Sequence, residues 1–112
     1  TPKREFLYSD DMADACVALM SLPEAKFDEV LTKYQPPLIN VGCGEDVTIR
    51  ELAETAASVV GFEGKLVFDT SKPDGTPRKL MDVSRMFELG WRPRTSLREG
   101  ITLALVDYLG RR

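Results

Sequence analysis

The stretch Leu38-Ile39-Asn40-Val41-Gly42-Cys43-Gly44-Glu45-Asp46-Val47-Thr48-Ile49-Arg50-Glu51-Leu52-Ala53 decides the fold class. Leu38–Val41 reads as a short buried strand. Gly42-Cys43-Gly44 follows as a tight turn of the left-handed kind that glycine adopts without a Cβ penalty. Thr48-Ile49-Arg50-Glu51 is a capping box, in which the Thr hydroxyl and the Glu carboxylate satisfy orphan backbone amides reciprocally. Ile49, Leu52, Ala53, Ala56, Val59 and Val60 then recur at helical spacing. Gly61 supplies the stop. A strand feeding a capped helix through a glycine turn is an α/β unit.

The rest of the chain extends that unit. Upstream, Glu5-Phe6-Leu7-Tyr8 reads as a strand. Ser9, Asp10 and Asp11 offer an N-cap and place acid at the positive end of a helix dipole. That helix carries Met12, Ala13, Cys16, Val17, Leu19 and Met20 on one apolar stripe and ends at Leu22-Pro23. Residues 24–37 form a mixed connector closed by Pro36-Pro37, with Phe27, Val30 and Leu31 at helix-contact spacing. Downstream, Lys65-Leu66-Val67-Phe68 reads as a third strand, followed by a polar turn over Ser71–Pro77 and the pair Arg78-Lys79. Ser84 caps a short helix with Met86, Phe87 and Leu89, and Gly90 ends it. After the loop Trp91-Arg92-Pro93, Ser96-Leu97-Arg98-Glu99 is a second capping box. Its helix carries Ile101, Ala104, Leu105 and Tyr108 and ends at Gly110. The expectation is one small α/β domain over residues 1–112, with about four helices and three short strands. A sheet that thin needs another domain to cover it.

Composition narrows the function. The chain has 112 residues, of which 43% are hydrophobic, enough for one modest core. Fifteen basic residues against eighteen acidic leave a net charge of -3. A nucleic-acid partner would call for a basic face instead. No stretch approaches the roughly 18 apolar residues of a membrane span. With no histidine, His-based acid–base chemistry, Ser-His-Asp triads and His-ligated metal sites are excluded within this chain. Cys16 and Cys43 are too few and too far apart for a disulfide framework or a zinc site. Cys16 lies on the apolar stripe and reads as a small core residue. Cys43 has no basic neighbour in sequence to activate it. The expectation is a reduced, cytoplasmic protein. The chain begins without Met and directly before an apolar segment, and reads as a piece of a longer one.

Two features remain as candidate ligand sites. The Gly42-Cys43-Gly44 turn is not a dinucleotide loop, because the third glycine of G-x-G-x-x-G falls on Val47. The turn Lys72-Pro73-Asp74-Gly75-Thr76-Pro77-Arg78-Lys79 says more. Two prolines stiffen it, Asp74 is a directional acceptor for hydroxyl or N–H groups, and Arg78 and Lys79 crowd cations beside it. Such a loop suits a phosphorylated, hydroxyl-bearing ligand, since arginine grips phosphate bidentately. An ordinary solvated Pro-Asp-Gly turn is the alternative. Arg4, beside the first strand, is by itself either a surface charge or a ligand contact. No tyrosine has a lysine four residues on, so the Tyr-x-x-x-Lys acid–base pair is absent.

Arg4-Glu5-Phe6-Leu7-Tyr8-Ser9-Asp10-Asp11-Met12-Ala13 resembles the segment opening the substrate half of extended short-chain dehydrogenases/reductases. Ile39-Asn40-Val41-Gly42, Thr48-Ile49-Arg50-Glu51-Leu52-Ala53, Leu89-Gly90-Trp91-x-Pro93 and Ser96-Leu97-x-Glu99-Gly100-Ile101 continue the pattern. The block Phe68–Val83 resembles more narrowly the GDP-L-fucose synthase family, the GDP-4-keto-6-deoxy-D-mannose 3,5-epimerase/4-reductases. That resemblance implies a C-terminal substrate-binding domain without its N-terminal Rossmann domain. It implies substrate contacts at Arg4 and Asp74, and diphosphate contacts at Arg78 and Lys79. No catalytic, cofactor-binding or metal-binding residue is implied in this chain. NADPH, the catalytic Ser, Tyr-x-x-x-Lys, Cys and His, and the homodimer contact belong to the other domain. Turnover by this chain alone is therefore not expected. Other nucleotide-sugar epimerases or dehydratases, and a stand-alone binding module, stay open as alternatives.

Overall fold

A computed structural model describes residues 2–111. In chain order the elements are β1 (Lys3–Arg4), α1 (Ser9–Met20), α2 (Glu24–Lys33), β2 (Val47–Thr48), α3 (Ile49–Val60), β3 (Arg78–Lys79), α4 (Ser84–Glu88) and α5 (Leu97–Gly110). The class is α/β as expected, but the described residues hold five helices rather than four. The extra one is α2, wound from the segment read as a connector. Pro23 opens it, Glu24 sits in its first turn and Lys33 in its last, both matched to the helix dipole.

The three expected strands are all corrected. The sheet runs β2-β1-β3, built from dipeptides that carry charge or no apolar pattern. Lys3 and Arg4 pair antiparallel with Thr48 and Val47, and parallel with Arg78 and Lys79. Residues 5–8, 38–41 and 65–68 form no ladder. A strand exists through its neighbour's hydrogen bonds, not through its own apolarity. At Leu38 the carbonyl is taken by the Arg85 guanidinium at 2.6 Å, and the amide turns back to Pro36. Val67 is 81% exposed, so nothing buries that segment into a sheet.

The core lies between α1, α4 and the loop after α4. Ala15, Met86 and Trp91 form its buried centre, with Leu7, Ala18, Leu19, Ile39, Val41 and Phe87 packed around it. The Trp91 indole N–H donates to Asp14 at 3.0 Å, as a buried indole must. Cys16 is exposed rather than in the core. Ala15, Ala18 and Leu19 face inward, and 100° of helical rotation carries Cys16 outside that arc.

The helix ends are partly as expected. Both capping boxes form, Thr48 with Glu51 and Ser96 with Glu99. Gly61 ends α3 in the left-handed conformation at φ 73°. At α1 the cap is Tyr8, with no side-chain bond. The freed Asp11 is buried and accepts from the Arg94 amide at 3.2 Å, the Thr95 amide at 3.0 Å and the Thr95 hydroxyl. It ties α1 to the entry of α5. Ser84 begins α4 but does not cap it; its amide donates instead to the Asp82 carboxylate at 3.0 Å. Gly110 does not stop α5, which includes it. α5 lies against α3, where the Arg98 guanidinium donates to the Ser58 hydroxyl at 3.1 Å.

The molecule is flat, with extents of 54 × 36 × 19 Å and a Cα radius of gyration of 17.5 Å. A compact chain of this length would have a radius of about 13 Å. Its accessible surface is 8285 Å², against about 6,200 Å² for a folded monomer of its mass. Among the described residues no helix is long and apolar enough to cross a membrane.

Candidate functional site

The site grows from β1, the central strand. Register-matched residues on neighbouring strands share a face. Arg4 therefore shares a face with Lys79, and Lys3 with Arg78. The Arg4 guanidinium lies against the 74–76 turn, with Nη1 donating to the Thr76 carbonyl at 2.6 Å and to its neighbour Lys3 at 2.7 Å. A Cβ at position 75 would sit 3.0 Å from Nη2, so glycine there leaves room for the arginine. Residues seventy-two positions apart are thus joined through one guanidinium.

Glu5, the residue after β1, secures the chain where it leaves that strand. Its carboxylate accepts the Gly44 amide at 2.7 Å and the Met81 amide at 3.4 Å. One side chain so binds the exit of β1 to the glycine turn and to the segment leaving β3. Gly44 itself is left-handed at φ 79°, as the turn reading requires.

Of the four expected site residues, the structure groups Arg4, Lys79 and the turn carrying Asp74. Arg78 is drawn to Asp46, with Nε–Oδ2 at 2.6 Å and Nη2–Oδ1 at 3.4 Å. The Asp46 side chain is 7% exposed and the Arg78 side chain 60%, so this forked pair ties β3 to the residue before β2, with β1 between the two strands, while the arginine remains open to solvent. Arg4 and Asp74 open onto different clefts. Arg4 lines one of about 380 Å³ with Phe6, Cys43, Val47 and Arg94. Asp74 lines a second of about 330 Å³ with Ile49, Arg50, Phe68, Asp69 and Lys72. Cys43 is half-buried in the first cleft, its thiol donating to the Glu45 carbonyl at 3.1 Å.

Sequence reasoning missed two features of the second cleft. The Arg50 guanidinium stacks over the Phe68 ring at 4.3 Å, a long-range contact with no local signal. The Asp69 carboxylate accepts both the Ser71 hydroxyl and the Ser71 amide. Those bonds hold Asp69 below the usual carboxylate range, the hydroxyl contributing most. The Asp-x-Ser spacing was the available clue, since such side chains close local turns. Arg94, whose amide is fixed by Asp11, is an unanticipated lining residue of the first cleft.

No protein-family model matches the chain. Known proteins do. GDP-L-fucose synthase 1 of Arabidopsis thaliana is 52% identical over 110 residues, covering 97% of this chain and 31% of that protein. The GDP-L-fucose synthase of Escherichia coli K12 is 55% identical over 103 residues, covering 90% of this chain and 31% of the relative. Among solved structures, a GDP-D-glycero-L-gluco-heptose synthase from Campylobacter jejuni, determined in the presence of NADPH, superposes with a TM-score of 0.84 at 34% identity. That match covers 97% of this chain and 31% of the other. The chain spans about a third of the length of the relatives it matches.

Proposed function

We propose, for a chain that belongs to the GDP-L-fucose synthase family and corresponds to the C-terminal part of its members, that its task is to hold a GDP-linked sugar for chemistry performed by the rest of the protein. In this reading Arg4 and Lys79, on one face of the sheet, grip the diphosphate. Asp74 accepts from a ligand hydroxyl. Arg78 serves the diphosphate only by sharing its guanidinium with Asp46. The parent enzyme converts GDP-4-keto-6-deoxy-D-mannose to GDP-L-fucose, with NADPH and the epimerising groups on the N-terminal Rossmann domain, which also carries the homodimer contact. What this chain contributes is position. Holding reactants in a near-attack geometry can offset roughly 7–11 kcal/mol of barrier.

The observation that supports this most is the Arg4 guanidinium seated on the Thr76 carbonyl. It joins the two blocks of sequence, far apart in the chain, that a GDP-sugar site needs together. The reading is tested with Arg4→Ala and Asp74→Asn. A charge-assisted phosphate contact contributes about 1.5–3 kcal/mol. GDP-L-fucose should therefore bind the Arg4 variant roughly ten- to hundredfold more weakly. Asp74→Asn keeps a good turn residue and should weaken binding while leaving the fold intact. Binding within twofold of the parent chain for both variants overturns the reading.

A further inference from the structure

We infer that Asp46 is a positioning residue for the ligand site: by clamping Arg78 it fixes the register of β3 on β1, and with it the place of Lys79 and of the turn carrying Asp74. The inference rests on the GDP-sugar reading and deepens it by adding a residue that acts on the ligand only through others.

The need for a clamp follows from the strands themselves. The β1–β3 pairing joins two residues to two, setting Lys3 opposite Arg78 and Arg4 opposite Lys79. Like charges directly opposite one another destabilise a pair of strands. Neither dipeptide carries an apolar residue that would hold it to one face. Side chains alternate along a strand, so a slip of one residue turns all of β3 to the other face. Arg78 or Leu80 would then stand opposite Arg4 in place of Lys79, and the 74–76 turn would move by about 3.3 Å.

Asp46 supplies the missing counter-charge and a direction. Of the four ion pairs among the described residues, Asp46–Arg78 is the one with a largely buried partner; every side chain in the other three is more than half exposed. Exposed pairs contribute little, whereas a buried carboxylate demands its partner. Both Asp46 oxygens accept from Arg78, from Nε at 2.6 Å and from Nη2 at 3.4 Å, so the planar fork fixes orientation as well as distance. The pair ties β3 to the residue before β2 with the central strand between them. Two other bonds hold the same segment. One is the Arg4–Thr76 contact, made by the ligand-binding arginine itself, and the other is the Glu5–Met81 contact at 3.4 Å. Neither brings a negative charge to Arg78. Asp46 lines neither cleft, so its influence passes through β3.

The two roles open to this pair predict opposite signs. Were Arg78 only a phosphate ligand, Asp46 would compete for its guanidinium, and removing the carboxylate would tighten binding. As a clamp, its removal weakens binding. The test titrates the chain with GDP-L-fucose, followed by calorimetry. Asp46→Asn should weaken binding about tenfold, within the range of coupled neighbours. Asp46→Glu keeps the charge and should recover most of the affinity. Arg78→Lys keeps a cation for the ligand but loses the fork. It should weaken binding alone and add little to Asp46→Asn, since both break one clamp. Exchange of the Lys3 amide, which donates to the Pro77 carbonyl at 2.9 Å, should quicken in both variants. Circular dichroism checks the fold, and Arg78→Lys, altered at the solvent-facing partner, carries the test where Asp46→Asn does not fold. Unchanged or tighter binding in either folded variant, with binding still lost in Arg4→Ala, overturns the clamp and leaves the GDP-sugar reading standing. Additive losses from Asp46→Asn and Arg78→Lys overturn the clamp as well. No binding of GDP-L-fucose by the unsubstituted chain overturns both readings.

Discussion

The Glu5 carboxylate occupies the space in which a side chain at position 42 would begin. A Cβ on Gly42 would lie 2.6 Å from Glu5 Oε2 and 2.8 Å from the carboxyl carbon. Gly42 is glycine because of this close approach, since its φ is not among the positive ones. Gly42→Ala must push the carboxylate off the Gly44 and Met81 amides. The expected cost is about 1–3 kcal/mol, as for other forced overpacking, read from urea denaturation midpoints. In a Glu5→Ala background the clash is gone, so the second substitution should cost far less. Additive effects of the two changes would show that the pair is not coupled.

Asp11 gives a second stability test. It is 6% exposed and accepts two backbone amides and a hydroxyl from the loop before α5. Asp11→Ala leaves both amides without partners, at about 1–3 kcal/mol for each group so stranded. Asn retains one acceptor oxygen and should recover part of the loss. Hydrogen exchange should quicken at Arg94 and Thr95 in the Ala variant. Unchanged exchange there would mean that the loop holds itself.

The capping boxes were readable because they are local. Thr48 and Glu51, or Ser96 and Glu99, need only each other and one helix turn. The sheet was not readable, because Lys3, Val47 and Arg78 carry no strand pattern. Their pairing depends on residues more than forty positions apart. The apolar stretches at 38–41 and 65–68 pointed to strands, but apolarity says that a segment is buried by something, not that it has a ladder. α1 misled in a similar way. Its apolar residues spread too widely for a single stripe, so Cys16 could not be separated from Ala15. At the site, Arg4 and Asp74 came from resemblance and turn chemistry. Their opening onto separate clefts is set by the β1–β3 pairing, and the Arg50–Phe68 stack by tertiary contact alone.

Two exposed turn carboxylates set an acid limit on stability. The Ser71 hydrogen bonds lower the Asp69 pKa. The Ser84 amide, with a smaller hydroxyl contribution, lowers that of Asp82. A depressed folded-state pKa contributes stability that is fully present above the unfolded value, about 3.9 for aspartate, and is lost as pH falls through the lower folded value. The chain should therefore lose stability below about pH 4, and little of that loss should occur between pH 5 and 7. Asp69→Asn combined with Asp82→Asn removes both titrations and should flatten the slope of stability against pH below 4. An identical slope in the double variant would assign acid sensitivity to other carboxylates. Hydrogen bonds from Ser71 and Ser84 are the leading causes of both shifts, so the slope should change little with added salt.

The last expectation concerns the surface. Met20 is 88% exposed, Val17 63%, Val106 63% and Tyr108 62%, on α1 and α5. The surface is also about a third larger than a compact monomer of this mass would expose, and these side chains contribute exposed apolar area to it. Contiguous apolar surface above a few hundred Å² marks an interaction face. The 112-residue chain should therefore self-associate in sedimentation as its concentration rises, and should bind a hydrophobic dye. Replacing Val17 and Met20 by lysine should reduce both signals. It should leave the denaturation midpoint within about 0.5 kcal/mol of the parent, the usual effect of exposed substitutions. Ala15 faces the core from the other side of α1, and neither Val17 nor Met20 is among the side chains packed on Ala15, Met86 and Trp91, although Val17 borders a cleft that Met86 and Trp91 also line. A chain that sediments as a monomer at every concentration and melts at high temperature would show that this flat fold needs no cover.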